Sequence, residues 1–288
     1  MKKVRRFYKM HALGNDYIFF DCFSEAIACP EEAAIRFSDR RRSIGGDGVI
    51  LLERSEKADA KMRIFNADGS EAEICGNGLR CAGKWLHDLK GVKKTRLKIE
   101  TGAGVKTLRL YQNDEGVTEN VCADMGTPVF APEKIPVLLP AGADGKIVRR
   151  PVAISGEKFE ITCVSVGNPH CVTFSENAFE KFGVLGEKTE NASIFPKRIN
   201  AEFVKIRGKN DFEVRVYERG SGETYACGSG ACATVAAAIE NGFAEKNADV
   251  TVRLKGGSLT VREEAKNGTE KLYLTGEAKF VFAGEIEL

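Results

Sequence analysis

Cys75-Gly76-Asn77-Gly78-Leu79-Arg80-Cys81-Ala82 and Cys227-Gly228-Ser229-Gly230-Ala231-Cys232-Ala233 are near copies of each other, set about 150 residues apart in a chain of 288. In each, a thiol stands immediately before a Gly-rich helix start. A helix N-terminus carries unpaired backbone N–H groups and a partial positive charge, which favour both a thiolate and a bound carboxylate. Doubling the arrangement lets one anion be held between two cysteines. A second pair shares the offset: Gly14-Asn15-Asp16-Tyr17-Ile18-Phe19-Phe20 and Gly167-Asn168-Pro169-His170-Cys171-Val172-Thr173-Phe174. The order of Gly-Asn turn, intervening elements and Cys-Gly-x-Gly helix therefore occurs twice. This predicts two half-chains of like fold related by a pseudo-twofold axis.

Strand signals dominate between these anchors. Phe212-Glu213-Val214-Arg215-Val216, Leu97-Lys98-Ile99 and Leu272-Tyr273-Leu274 alternate with period two, as half-buried strands do. Such alternation points to hairpin-type sheets with one solvated face, not to parallel cores. Ala231 to Ile239 is almost wholly apolar, the mark of a helix buried on nearly all sides, and Leu79, Ala82, Leu86 and Leu89 follow a helical spacing. The expected fold class is α/β (α+β): two pseudo-symmetric domains, each a curled, mostly antiparallel sheet wrapped around a central helix. Residues 1–122 with 276–288 are expected to form the half carrying Cys75, and 123–275 the half carrying Cys227, with Met125-Gly126-Thr127-Pro128 opening the crossover.

A formal charge of +2, with Lys and Arg scattered among Asp and Glu, leaves no electrostatic footprint for nucleic acid or an anionic membrane. Arg40-Arg41-Arg42 reads as a solvated face. No stretch reaches the roughly 18 apolar residues of a membrane span, and Met1-Lys2-Lys3 leads into charged sequence, so a cytoplasmic location is expected. Nine cysteines, an odd number spread along the chain, read as reduced thiols and not as a disulfide framework. Cys22, Cys29, Cys122, Cys163 and Cys171 lie in apolar surroundings and are expected to be small buried hydrophobes.

Three other readings compete at the paired segments. Each cysteine could simply pack at a tight helix entry. Zinc is a second reading, although Cys75…Cys81 and Cys227…Cys232 lack the short spacing of structural knuckles and His is scarce. Third, Gly228-Ser229-Gly230-Ala231-Cys232-Ala233 fits a dinucleotide fingerprint, but it follows the polar run Gly220 to Tyr225 where an apolar parallel strand is required. The chemistry that uses two thiols and an anion pocket is stereoinversion beside a carboxylate: one base removes the α-proton from one face while an acid protonates the other. Convergent helix N-termini would stabilise the resulting carbanion or enediolate.

Met10-His11-Ala12-Leu13-Gly14-Asn15-Asp16-Tyr17, Phe65-Asn66-Ala67-Asp68-Gly69-Ser70, Cys75-Gly76-Asn77-Gly78, Gly167-Asn168-Pro169-His170-Cys171 and Tyr217-Glu218-Arg219-Gly220 through Ala226-Cys227-Gly228-Ser229-Gly230 closely resemble the diaminopimelate epimerase family, in order and over nearly the whole chain. The resemblance implies interconversion of LL- and meso-2,6-diaminopimelate without a cofactor or metal, in lysine and peptidoglycan-precursor synthesis. It also implies two domains with the active site in the cleft between them, and a homodimer. Carried over by position, Cys75 and Cys227 would be the acid/base thiols, and the backbone of Gly76, Asn77, Gly228 and Ser229 would hold the reacting carboxylate. Asn15, Asn66, Asn168, Asn200, Glu218 and Arg219 match substrate contacts, while His170 and Glu218 match positions that adjust thiol ionisation. For His170 a structural role in the Asn-Pro-His turn stands beside that one. Gly48 departs from the Gln that many relatives carry there, so no side-chain contact transfers to it. Proline-type racemases and phenazine-pathway isomerases on a similar fold are the enzyme rivals. A thiol-redox or binding protein with a reversible Cys75–Cys227 disulfide is the rival from another class.

Overall fold

The computed structural model describes residues 4–266 and 268–288. The chain divides into two compact units, Met1–Ala123 with Thr275–Leu288, and Asp124–Leu274. The first runs β1 (Val4–Ala12), β2 (Asn15–Asp21), α1 (Pro30–Ser38), β3 (Gly48–Glu53), β4 (Ala60–Asn66), β5 (Glu71–Ala72), α2 (Gly76–Lys84), β6 (Arg96–Thr101), β7 (Gly104–Gln112) and β8 (Thr118–Gly126). The second starts with β9 (Arg150–Ile154) and then repeats that order. It runs β10 (Glu157–Ser165), β11 (Pro169–Thr173), α3 (Glu176–Glu180) with α4 (Phe182–Glu190), β12 (Asn200–Gly208), β13 (Asp211–Glu218), β14 (Gly222–Glu223), α5 (Gly228–Glu240), β15 (Val250–Leu254), β16 (Gly257–Lys266) and β17 (Thr269–Glu277). The last strand, β18 (Lys279–Glu287), pairs antiparallel with β1 as β9 pairs with β10.

Most ladders are antiparallel, as the alternating sequences imply, yet among the described residues each unit contains two parallel pairs. These are β2 with β3 and β4 with β6 in the first unit, and β11 with β12 and β13 with β15 in the second. The mostly antiparallel sheet expected from the alternation thus includes parallel pairs that the alternation does not announce. A helix connects each parallel pair, as a parallel crossover requires, and the second crossover in each unit is the helix behind the cysteine. Strands such as β3 (Gly-Val-Ile-Leu-Leu-Glu) are covered on both faces and lose the alternation that marks a solvated sheet.

Both central helices are buried, and the polar side chains that α2 takes inside are paired: Arg80 donates to Asn77 Oδ1 at 2.6 Å and Lys84 pairs with Asp88 at 2.7 Å. From Ala231 to Ala238, α5 is wholly buried and consists mainly of Ala, the best helix former and one that lets strands approach closely. It packs on β10, β11, β12, β15 and β16, while α2 packs on β1, β4, β7 and β18. After α2 the chain widens into a π-helical turn, Trp85–Leu89. The wider turn shifts the phase of the apolar stripe, so Leu86 is buried but Leu89 is 40 % exposed, against the helical spacing expected of it. A separate core lies under α1, including Phe7, Phe20, Phe37 and Phe65, and its counterpart under α3 and α4 includes Phe159, Phe182 and Phe203.

The repeated Gly-Asn turns have a conformational cause. Ala12 pairs with Asn15 across a two-residue hairpin whose Leu13 and Gly14 both have positive φ, 55° and 83°. That is the twist which suits a tight hairpin. Gly167 (φ 90°) takes the equivalent place between β10 and β11. Two cysteines depart from expectation: Cys29 is exposed at the start of α1 and Cys122 is half-buried, whereas Cys22, Cys163 and Cys171 are buried. Among the described residues no helix is long and apolar enough to cross a membrane.

Candidate active site

Each unit presents one thiol as the N-cap of its buried helix. Cys75 has extended backbone angles (φ −136°, ψ 120°), and its sulfur accepts from the Gly78 N–H at 3.4 Å. Cys227 repeats this (φ −116°, ψ 112°), with the Gly230 N–H at 3.2 Å. The extended cap turns the sulfur back over the first helical turn, where the unpaired amides point. Gly78 and Gly230 sit close to side-chain ends that a larger residue would displace: a Cβ at Gly78 would lie 2.6 Å from Ile50 Cδ1, and one at Gly230 2.8 Å from Glu202 Oε1.

Beside Cys75 stand a phenol and an amide. The Tyr17 hydroxyl is 3.1 Å from Sγ, and Asn15 Oδ1 lies at 3.8 Å. Asn15 is clamped: its Nδ2 donates to Asp47 at 2.5 Å, and its Oδ1 accepts from Asn77 Nδ2 at 3.1 Å. Behind it, Arg40 bridges Asp16 and Asp47, and Lys9 pairs with Asp16 at 2.6 Å. Burial alone would raise the Asp16 carboxyl, but hydrogen bonds from Arg40 and Lys9 hold it below the usual carboxylate range. Arg40 is thus exposed yet pinned by two carboxylates, which its place in a run of three arginines does not reveal. Asn66, at the exposed end of β4, donates to Ser70 Oγ at 3.0 Å.

Around Cys227 the partners are ionisable. His170 is fully buried, with Nδ1 at 2.7 Å from Glu202 Oε1 and Nε2 at 3.0 Å from Asn168 Oδ1. Glu202 is also fully buried, and its second oxygen, Oε2, has no hydrogen-bond partner among the described residues. Burial pushes the Glu202 carboxyl up, against the pull of His170. Glu218, half-buried at the end of β13, accepts from Thr224 Oγ1 and is likewise pushed up by burial. The Cys227 thiol is driven well above its ordinary value, first by burial and then by Glu218 and Glu202. Ser229 and the Gly230 amide oppose that only in part. Asn200 has both side-chain groups engaged, Nδ2 to Pro169 O at 2.8 Å and Oδ1 to the Arg219 N–H at 2.9 Å, so it braces the turn that carries the exposed Arg219.

Strand register aligns the two constellations. Tyr17 pairs with Gly48 as His170 pairs with Asn200, and Val49 with Phe65 as Ala201 with Tyr217. Tyr17 therefore corresponds to His170, Ile50 to Glu202, and Asn66 to Glu218. Tyr17 and Asn15 stand beside Cys75 with charged groups behind them, whereas Glu218 and Glu202 act on Cys227 and His170 pairs with Glu202. Gly48 corresponds to Asn200, and a Cβ there would lie 2.2 Å from the Phe65 carbonyl oxygen, so this backbone admits only glycine at that position. Sequence reasoning passed over Glu202, Asp47 and the hydroxyl of Tyr17. The available signal for Glu202 was its place two residues after Asn200 in a strand, which puts both on one face.

The diaminopimelate epimerase family profile matches residues 7–131 and 162–281. A diaminopimelate epimerase from Acetivibrio thermocellus is 48 % identical over 288 residues, covering 98 % of this chain and 99 % of that one. One from Methanococcus maripaludis is 44 % identical, covering 98 % and 100 %. Among solved structures, a hydroxyproline epimerase from Agrobacterium vitis superposes with a TM-score of 0.70 at 14 % identity, over 100 % of this chain and 94 % of its own. A Bacillus anthracis phenazine biosynthesis protein of the PhzF family gives 0.68 at 17 %, over 99 % and 100 %. At such identities these two show the shared fold alone.

Proposed function

The chain belongs to the diaminopimelate epimerase family, and from that premise we propose that Cys75 and Cys227 are the acid/base pair of a cofactor-independent epimerisation of LL- to meso-2,6-diaminopimelate. The observation that carries this reading is the duplication itself: two thiols, each the N-cap of a buried helix and each held by the amide three residues on. In the reaction one sulfur, as thiolate, takes the α-proton and leaves the electron pair on the α-carbon and its carboxylate. The other sulfur, as thiol, delivers its proton to the opposite face. The thiolate then sits where the thiol was, and the roles exchange for the reverse direction. The reading requires both sulfurs to reach one α-carbon.

Because the α-proton of an amino acid is weakly acidic, most of the barrier lies in charge development on the carboxylate. The first-turn amides of Gly76, Asn77, Gly228 and Ser229 are the donors assigned to it, fixed before the substrate arrives. The raised Cys227 thiol keeps its proton at neutral pH and begins as the acid. Arg219 can fork onto the distal carboxylate and Glu218 can accept from an ammonium. Asn15, Asn66 and Asn168 complete the polar lining, with His170 acting on Cys227 through Glu202. The same reading has the enzyme work in the cytoplasm as a homodimer, supplying a lysine and peptidoglycan precursor, with no nucleic-acid or membrane partner.

The test is turnover of LL-2,6-diaminopimelate by purified protein with nothing added. Wild type is expected to form the meso isomer. Cys75→Ser and Cys227→Ser should each lose about three orders of magnitude or more, because a hydroxyl is a far poorer base than a thiolate. Near wild-type turnover in either variant ends the two-thiol assignment.

A further inference from the structure

We propose that Tyr17 is a positioning residue for Cys75: its buried hydroxyl donates to Sγ, favouring the thiolate and fixing the direction in which the sulfur faces. The inference rests on the two-thiol reading above, which it extends to a residue outside the acid/base pair. Tyr17 lies in β2, two residues beyond Asn15 and on the same face, and is 5 % exposed. Phenylalanine would fill the same apolar space. The hydroxyl is therefore an added polar group in a buried place, where it costs free energy unless it is hydrogen-bonded. Its oxygen is 3.1 Å from Cys75 Sγ.

The direction of the bond follows from the neighbours. Three elements bring titratable or polar groups to this point. Tyr17 and Asn15 come from β2, Asp47 from the segment before β3, and the Gly78 N–H and Cys81 from α2. Arg40, Lys9 and Asp16 lie behind Asp47 and are paired with one another. Burial, the charge on Cys75 and the carboxylate of Asp47 all hold the phenol proton on oxygen. Burial keeps the phenol protonated, so in this contact the Tyr17 hydroxyl is the donor and the sulfur the acceptor. The Gly78 amide and the Tyr17 hydroxyl then both donate to Sγ, while Asn15 Oδ1, 3.8 Å away, is the acceptor that the protonated thiol faces.

The repeat shows that this is a specialised position. Its counterpart in the second unit is His170, which turns to Glu202 and Asn168. The two halves thus share a cap geometry but not a partner. The hydroxyl at Tyr17 favours a charged sulfur, while the carboxyls around Cys227 favour a protonated one, as a reaction that starts from one thiolate and one thiol needs.

The test is Tyr17→Phe in the full-length protein, read by the pH dependence of Cys75 alkylation with iodoacetamide, resolved by peptide mass spectrometry. Losing a donor to the charged form should raise the Cys75 midpoint by about one unit and slow its alkylation about tenfold below the wild-type midpoint. The acid limb of kcat/KM against pH should move up equally, with KM little changed. An unchanged or lowered Cys75 midpoint overturns the proposal. Should Tyr17→Phe not fold, 3-fluorotyrosine placed at position 17 is a stronger donor and should lower the midpoint; no shift there overturns it too. Alkylation reports the thiol whatever the substrate. A shifted midpoint in a protein that does not turn over diaminopimelate would refute the proposed function and leave Tyr17's role standing.

Discussion

Replacing Glu202 by Gln removes a charge beside Cys227 while keeping the shape of the side chain. An atom built as a Cβ on Gly230 would lie 2.8 Å from Glu202 Oε1 and 3.2 Å from Cys227 Sγ, so carboxylate and sulfur are no more than about 6 Å apart. Two unit charges at that separation repel by about 3 kcal/mol at an effective dielectric of about 20, or roughly two pKa units. The His170 ring, 2.7 Å from the same carboxylate, offsets part of this, and about one unit is expected to remain. Since a carboxylate disfavours the thiolate, its removal should bring the Cys227 midpoint down. The assay is peptide-resolved alkylation of Cys227 against pH, in wild type and in Glu202→Gln. The upper limb of kcat/KM against pH should move to lower pH by the same amount, because Cys227 then loses its acid proton sooner. A Cys227 midpoint that stays put or rises would show that Glu202 does not act on this thiol.

Three further outcomes follow from single residues. Gly48→Gln should destabilise the protein by about 3 kcal/mol or more, since even its Cβ would meet the Phe65 carbonyl at 2.2 Å; a denaturant midpoint equal to wild type would contradict this. Glu263 on β16 is 4 % exposed, and burial pushes its carboxyl up to about 6, so its contribution is full below about pH 4.5 and is lost as pH rises through 6. Glu263→Gln should therefore gain about 2 kcal/mol relative to wild type between pH 4 and pH 8 in urea unfolding, and a constant difference would refute it. Cys29 is exposed and N-terminal to α1, remote in the chain from either paired segment; Cys29→Ser should keep turnover within about twofold of wild type while removing one fast-alkylating thiol.

What could be read from the chain alone, and what could not, divides along physical lines. The Cys-Gly-x-Gly starts were legible because a buried helix capped by a thiol needs a recognisable local sequence: small residues for close approach, then an unbroken apolar run. The Gly-Asn turns were legible for a similar reason, since positive φ selects glycine. Parallel pairing was not, because β2 with β3 and β13 with β15 are joined across a helix and not by a tight turn, and no short-range pattern encodes such a pairing. The buried Glu202 escaped notice because a single glutamate in an alternating strand looks like a solvated one; only the fold brings His170 to it. Arg40 was hidden by Arg41 and Arg42, and Leu89 was misplaced because a π-helical turn leaves no mark in hydrophobic periodicity. The hydroxyl of Tyr17 drew no attention because an aromatic residue in β2 is explained by its ring.

The most direct test of two-thiol epimerisation is isotopic. Wild-type enzyme is incubated with LL-2,6-diaminopimelate in heavy water, and product and remaining substrate are analysed early in the reaction. A base on one face and an acid on the other predict meso product carrying deuterium at the inverted carbon while unreacted LL substrate still holds protium, with the deuterated meso product absent in Cys75→Ser and Cys227→Ser. Meso product that retains its original protium would mean a single base serving both faces and would contradict the account.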